Sequence, residues 1–207
     1  MAASVNFNPI QTTNFPGTFF VQTDGFVQGV MEDDPVARFA LRSGVVSTAA
    51  TVPMWGGVAI AESLAGGTTG FVDQLNSVLA PASSGNGITG FTVFNQASAM
   101  VITNSSNVPL SGSSMAVNFF RFGSGARVAV NTTSAVASAL AGGTISPTLY
   151  WDPVAYQVTT VSASNVALPT TVKLTHVNVG NSKVVSYASG TGYATWTDGG
   201  STLVIEL

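Results

Sequence analysis

The sequence contains no cysteine and a single histidine, His176, and these two shortages limit the chemistry open to the chain. Without cysteine there is no disulfide and no thiolate ligand for a metal ion. His176 lies in the run VKLTHVNV with no motif around it, whereas general acid–base catalysis needs a group held beside a partner. We therefore interpret His176 as an ordinary strand residue and expect no enzymatic activity, no cofactor and no metal site.

Charge is scarce as well. Only 7% of the residues are Asp, Glu, Lys or Arg, and the net charge is -3, whereas a typical domain has about 25% charged residues. Phosphate neutralisation needs clustered basic side chains, so we expect no nucleic-acid partner. The six basic residues are instead dispersed along the chain: Arg38, Arg42, Arg121, Arg127, Lys173 and Lys183.

Long apolar runs are also missing. No run approaches the roughly 18 residues that span a bilayer, and the first residues lack the charged start and apolar block of a signal peptide. We therefore expect synthesis in the cytoplasm and no membrane partner. With 45% hydrophobic residues and few charges, the surface must be made polar by Ser, Thr, Asn, Gln and Gly, which suits strands that pack against other protein.

The only acidic cluster is Glu32–Asp34. Calcium accepts such oxygen ligands, but the alternating spacing of a calcium loop is missing and Pro35 follows at once. We interpret the cluster as a solvated turn, with Arg38 or Arg42 as its ion-pair partner. Gly66–Gly70 precedes a predicted helix but lacks the lysine of a phosphate-binding loop.

Proline positions, apolar spacing and capping residues indicate how the chain is organised. Residues 1–17, with Pro9 and Pro16, are expected to form an extended N-terminal arm, and residues 18–207 a single β domain. The spacing of apolar residues in GFVDQLNSVLAP predicts a helix over about residues 69–81, capped by Thr69 and stopped by Pro81. Ser134–Leu140 is ambiguous, since Thr133 can cap a short helix there.

The remaining segments are β-branched or aromatic runs separated by Gly, Asn, Ser or Pro, as in short strands. They are predicted at Thr18–Gln22, Gly25–Met31, Arg38–Leu41, Met54–Ile60, Gly90–Phe94, Ala99–Thr103, Met115–Phe122, Arg127–Asn131, Thr144–Trp151 and Tyr156–Val161. The aromatics Phe119, Phe120, Phe122, Tyr150 and Trp151 are interpreted as core rather than as a sugar-binding surface. Both faces of Met115–Phe122 carry aromatics, which predicts a strand buried on both sides.

The C-terminal residues 172–207 predict a four-stranded antiparallel meander, because Gly180-Asn181 and Asp198-Gly199-Gly200 are turn signals. Its strands are Val172–Val179, Lys183–Tyr187, Tyr193–Thr197 and Thr202–Leu207, and Leu203, Ile205 and Leu207 are expected to face the core. The fold class is therefore all-β, an antiparallel jelly-roll, sandwich or barrel-like domain with an arm and one short helix.

Several of these segments resemble the structural cement, or capsid decoration, proteins of tailed bacteriophages. The resemblance is strongest in Gly180–Tyr187 (GNSKVVSY), Thr191–Trp196 (TGYATW) and Leu203–Leu207 (LVIEL). It extends to Gly90-Phe91, Gly143–Asp152 (GTISPTLYWD) and Gln157–Thr159, and more weakly to Pro16-Gly17 and Val36–Ala40. About half of the chain is covered, and the matching motifs concern packing and turns.

The resemblance implies a virion protein on the outer surface of the capsid that bridges major capsid subunits and stabilises the mature head. The implied partners are the major capsid protein and further copies of the chain, in a small homo-oligomer, with a dimer favoured and a trimer possible. The candidate capsid-interface residues are Phe7, Ile10, Phe15, Arg38 and Arg42.

Two other functions remain open. A tail-fibre or host-adhesin module has a similar Gly-, Thr- and Asn-rich β composition, although such fibres often show a short repeat that this chain lacks. A glycan-active enzyme on a β scaffold needs two carboxylates that face a cleft. Only Asp152 and Asp198 lie in plausible loops among the late strands, and both are interpreted as turn residues.

Overall fold

A computed structural model describes residues 25–32, 37–64, 77–94, 100 and 107–207. The predicted arm 1–17, the strand Thr18–Gln22 and the first part of the predicted helix lie outside these residues. So does the predicted strand Ala99–Thr103, except for Met100, which belongs to no strand. The all-β fold class is confirmed, since the described chain consists mainly of strands with one short α-helix. No helix in the described ranges is long and apolar enough to cross a membrane.

The first half of the described chain forms a closed five-stranded barrel. Its strands, in the order in which they are bonded around the barrel, are β1 (Arg42–Val46), β3 (Ser77–Pro81), β2 (Ala59–Ser63), β4 (Gly90–Val93) and β5 (Ala116–Arg121). β1 and β3 are parallel, and the other neighbours are antiparallel. Met54, Ile60, Leu79, Val117 and Phe119, together with Val46, fill the interior.

The barrel interior is narrow, and glycine is needed where β1 passes Leu79. A Cβ atom at Gly44 would lie 2.7 Å from the Leu79 side chain, which is closer than atoms can pack. Glycine therefore lets the Leu79 side chain occupy the space above the β1 backbone.

The second half forms a six-stranded sheet in the order β10-β11-β6-β8-β7-β9. These strands are β6 (Arg127–Thr132), β7 (Tyr150–Asp152), β8 (Gln157–Thr159), β9 (Val166–Ala167), β10 (Lys173–Ala188) and β11 (Tyr193–Glu206). The helix α1 (Ser134–Leu140) packs against β10 and β11.

The larger hydrophobic core lies between the barrel and the sheet. Phe91 and Phe120 belong to barrel strands, yet they pack in one cluster with Trp151, Leu203 and Ile205 of the sheet. The rings of Phe91 and Trp151 meet edge to face at 5.7 Å between centroids. Phe119 points into the barrel while Phe120 points into this shared core, which confirms that β5 is buried on both sides.

A short segment, residues 26–31, pairs with strands of the six-stranded sheet. Val27 forms a parallel bridge to Lys183 of β10, and Met31 an antiparallel bridge to Val128 of β6. Between them the fully buried Gln28 accepts a hydrogen bond from the Val185 backbone N–H at 2.8 Å through its Oε1. The predicted strand Gly25–Met31 is therefore wrong, because a turn at residues 28–29 limits the pairing to two isolated bridges.

Three further predictions near the barrel are wrong. Arg38–Leu41 is not a strand, since Ala37–Ala40 forms a 3-10 helix and β1 starts at Arg42. In Met54–Ile60 a turn at Gly56-Gly57, where Gly57 has φ +82°, delays the strand to Ala59. The end of the predicted helix 69–81 is the strand β3, which pairs with β1 and β2. Barrel closure there outweighs the helical spacing of the apolar residues.

The C-terminal meander is also wrong in its topology. β10 and β11 form one long antiparallel hairpin, whose loop is the predicted loop Ser189–Gly192. The glycines at the other two predicted turns, Gly180 and Gly199, do have positive φ, at +78° and +76°. They produce register shifts within the hairpin instead of reversals, since a left-handed glycine serves a bulge as well as a turn. The buried positions of Leu203, Ile205 and Leu207 are confirmed.

Other predicted strands are present but shorter or displaced by a residue or two. Gly90–Phe94, Met115–Phe122 and Arg127–Asn131 correspond to β4, β5 and β6. Thr144–Trp151 and Tyr156–Val161 shrink to β7 and β8, where pairing with neighbouring strands is found over only three residues each.

The helical alternative for Ser134–Leu140 is the one that forms. Thr133 is its N-cap residue, and its Oγ1 accepts a hydrogen bond from the Val136 backbone N–H at 3.2 Å. Thr133→Ala is expected to lower the free energy of unfolding by about 1 kcal/mol, because that N–H loses its partner. Denaturant titration measures this, with the exposed Thr160→Ala as the matched control. An equal effect of both substitutions would show that the cap contributes nothing.

Candidate functional site

The clearest group of interacting charged side chains lies at one end of the barrel. β1 and β3 begin at this end and β2 and β5 finish there, because β1 is parallel to β3 and antiparallel to β5. Because side chains alternate along each strand, four residues face the same side as the apolar interior residues but lie nearer the end of the barrel. They are Arg42, Glu62, Ser77 and Arg121. We call these four residues the barrel mouth.

Glu62 is the centre of the barrel mouth. Its side chain is only 11% exposed, and Arg121 donates to both carboxylate oxygens, from Nε to Oε2 at 2.7 Å and from Nη2 to Oε1. The Ser77 hydroxyl also donates to Oε1. The Arg121 hydrogen bond is the main reason that the pKa of Glu62 lies below its ordinary value, with burial opposing it and Ser77 assisting. The same bond raises the pKa of Arg121.

Glu62→Gln is expected to lower the free energy of unfolding at neutral pH by about 0.5–1 kcal/mol, since Arg121 is half exposed and such pairs are modest. The folded-state pKa of Glu62 lies below the ordinary 4.5, so the carboxylate contributes fully above that pH. The contribution is lost as the pH falls through the lower folded-state value. The difference from wild type should therefore shrink in acid.

Denaturant titrations at neutral pH and near pH 3 measure this change in the free energy of unfolding. Glu206→Gln is the control, because it removes another ion pair, to Arg127 at 3.2 Å, on the six-stranded sheet. A Glu62→Gln effect that stays constant with pH would show that the ion pair does not contribute to folding.

Two apolar side chains at this end of the barrel are almost fully exposed. Phe39, in the 3-10 helix three residues before β1, is 92% exposed, and Leu64, directly after β2, is 95% exposed. Single exposed apolar residues are common on protein surfaces, but these two lie at the same end of the barrel as Arg42 and Arg121. The arrangement provides apolar and cationic contacts at one place.

Of the interface residues predicted from the sequence, Arg42 belongs to the barrel mouth and is exposed. Arg38 lies in the 3-10 helix beside it, but its side chain is not described. Phe7, Ile10 and Phe15 lie outside the described residues. Sequence reasoning missed the Glu62–Arg121 pair, whose members are 59 positions apart, because only barrel closure brings them together.

A shallow pocket of about 300 Å³ lies between the loop after β1 and the end of β3. Small uncharged residues, Pro153 and Tyr156 line it. The ring of Tyr156 meets the buried Trp55 at 5.2 Å between centroids, and burial is the main cause that raises the pKa of the Tyr156 hydroxyl. The described residues of its lining include no carboxylate, imidazole or amine, and they provide apolar contact and hydroxyls.

The other predicted site residues lie apart from the barrel mouth. His176 is an exposed residue of β10, as predicted, with its ring 5.0 Å from that of Phe26. Asp152 accepts hydrogen bonds from the backbone N–H groups of Val154 and Ala155, at 2.9 and 3.0 Å, which confirms its role in a turn.

Asp198 and the acidic cluster Glu32–Asp34 were the other two acidic features singled out in the sequence. Asp198 was predicted in a hairpin turn but lies inside β11, 3.4 Å from the Lys183 ammonium. Of the acidic cluster only Glu32 is described, and Asp33 and Asp34 lie outside the described residues. Within residues 25–32, 37–64, 77–94, 100 and 107–207, no three His, Asp or Glu residues are grouped closely enough to hold a metal ion.

Comparison with known proteins gives no family assignment: no family model, no curated protein and no solved structure matches the chain significantly.

Proposed function

We propose that this protein is a virion structural protein that binds the outside of a tailed-bacteriophage capsid and bridges major capsid subunits. It acts without turnover, as a small homo-oligomer, with a dimer favoured. The supporting observation is that the segments in which the resemblance to cement proteins is strongest lie in one sheet. Gly180–Tyr187, Thr191–Trp196 and Leu203–Leu207 all lie in the β10–β11 region, and Gln157–Thr159 is β8 of the same sheet.

Such a protein stabilises the head by binding. A protein that binds only the assembled shell stabilises it by RT ln(1 + [L]/Kd), about 2.7 kcal/mol when free protein exceeds Kd 100-fold. A bridge between two capsid subunits adds avidity, because the second contact is made within the same complex. The few charges, with polarity supplied mainly by Ser, Thr, Asn and Gly, suit a role in which much of the surface contacts other protein.

The experiment is binding of purified protein to heads of the phage that encodes it, prepared without this protein. Binding to the outer surface and a rise in the temperature at which heads release DNA are the expected results. Location on the tail in cryo-electron microscopy of virions would favour the adhesin function instead.

Deletion of residues 1–17 is expected to weaken capsid binding more than folding. The proline and polar residues of this segment make a poor core, whereas Phe7, Ile10 and Phe15 are suited to anchoring in grooves of a neighbouring protein. Capsid pelleting and denaturant titration of the truncated chain measure the two effects. A truncated chain that is unfolded would place residues 1–17 in the core.

A further inference from the structure

The barrel mouth and its two exposed apolar neighbours form a compact surface. Phe39 lies just before β1 and Leu64 just after β2, and only β3 separates these two strands. Neighbouring strands are about 4.8 Å apart, so the two strand ends are separated by about 10 Å. Both side chains are over nine-tenths exposed, which leaves them free to enter a pocket on another molecule.

The charge of this surface differs from that of the whole chain. Arg42 and Arg121 carry two positive charges and Glu62 one negative, so the barrel mouth has a net charge of +1 in a chain of net charge -3. Arg121 is bound to Glu62, whereas the exposed Arg42 attracts Glu62 only from beyond ion-pair distance and forms no ion pair among the described residues. An exposed guanidinium that forms no ion pair can bind a carboxylate through two parallel hydrogen bonds.

We propose that the barrel mouth, with Phe39 and Leu64, is the surface by which this protein docks on the major capsid protein. Its occupant is a capsid loop or terminus that carries a carboxylate for Arg42 next to an apolar side chain for Phe39 and Leu64. This inference rests on the proposed function. Arginine and aromatic side chains dominate the binding energy of many protein interfaces, and this surface offers both at one place.

Glu62 has a positioning role in this surface. It accepts two hydrogen bonds from Arg121 and one from Ser77 but attracts Arg42 only from beyond ion-pair distance, so Arg42 is the guanidinium left for an incoming carboxylate. Val154 is 86% exposed but lies two residues after Asp152, whose negative charge would repel the same partner.

The test compares variants in binding to heads that lack this protein. Phe39→Ser, Leu64→Ser and Arg42→Glu alter the docking surface, and Val154→Ser is the matched control at an equally exposed apolar position. Because the Phe39, Leu64 and Val154 side chains are exposed, the denaturant midpoints of the three serine variants should stay at the wild-type value. The midpoint of Arg42→Glu is measured with them, because Arg42 attracts Glu62, and binding is compared under conditions in which every variant is folded. Phe39→Ser and Arg42→Glu are each expected to weaken capsid binding by about 10- to 30-fold, with Val154→Ser close to wild type.

Salt provides a second readout. Wild-type affinity is expected to fall as salt is raised, and the Arg42→Glu variant should show a weaker fall, because its attractive charge is gone. If the wild type binds heads and the variants bind them equally well, this inference is overturned while the proposed function still holds. Failure of the wild type to bind heads would overturn both. Variants that become monomeric but still bind heads would make this surface a contact between copies, which also contradicts the inference.

Discussion

Ile205→Ala is expected to lower the free energy of unfolding by about 2–5 kcal/mol, the range for removing a large aliphatic side chain from a core. Ile205 is fully buried in the shared core and lies on β11, which has a neighbouring strand on each side. Its strand neighbours are Leu174 on β10 and Val128 on β6, both buried. The strands on both sides of β11 prevent its backbone from moving into the cavity that Ile205→Ala leaves. Little of the lost packing free energy can therefore be recovered by relaxation.

The control is Ile145→Ala, because Ile145 is 66% exposed and the same atoms are removed without leaving a cavity. The measurement is a denaturant titration followed by far-UV circular dichroism. If the two alanine variants lose the same free energy of unfolding, the buried Ile205 side chain contributes no more to stability than an exposed one.

Phe120→Ala is expected to cost about 3–5 kcal/mol, as for other buried aromatic residues. Phe120 lies on a barrel strand but packs in the core between the barrel and the six-stranded sheet, beside Phe91 of β4. Its loss therefore removes contacts that hold the two halves together. Since both halves share this core, they should unfold together at a lower denaturant concentration.

Two probes of unfolding distinguish shared from separate unfolding. Circular dichroism reports on all strands, while tryptophan fluorescence reports largely on Trp55 and Trp151, which are both fully buried in the shared core. The exposed Phe39→Ala is the matched control and should be close to neutral. Two separate transitions in the Phe120→Ala variant would instead mean that barrel and sheet fold independently of their shared core.

Sequence patterns correctly indicated structural features that depend on residues close together in the chain. The alternation and aromatic content of residues 115–122 predicted a strand buried on both faces, and this is β5. Thr133 provided a helical alternative for the ambiguous segment Ser134–Leu140, and this alternative is α1, whose capping bond joins residues three positions apart. Leu203 and Ile205 were placed in the core because their side chains alternate along one strand.

Predictions that depended on distant partners were less successful. The helix predicted from the apolar spacing before Pro81 does not form over Ser77–Pro81, because β3 makes hydrogen bonds with two neighbouring strands there. Gly180 and Gly199 correctly marked left-handed backbone, but the same conformation serves a turn or a bulge, and the pairing of β10 with β11 decided between them.

The sequence by itself determined the all-β class, the buried face of the last strand and the scarcity of titratable groups, because composition and two-residue alternation are local properties. Tertiary structure alone decided that five strands close into a barrel and that its outer face packs on a second sheet. It alone also placed Arg42, Glu62 and Arg121 at one barrel end. Closure joins residues far apart in the chain, and the free energy of that pairing is not encoded in any short segment.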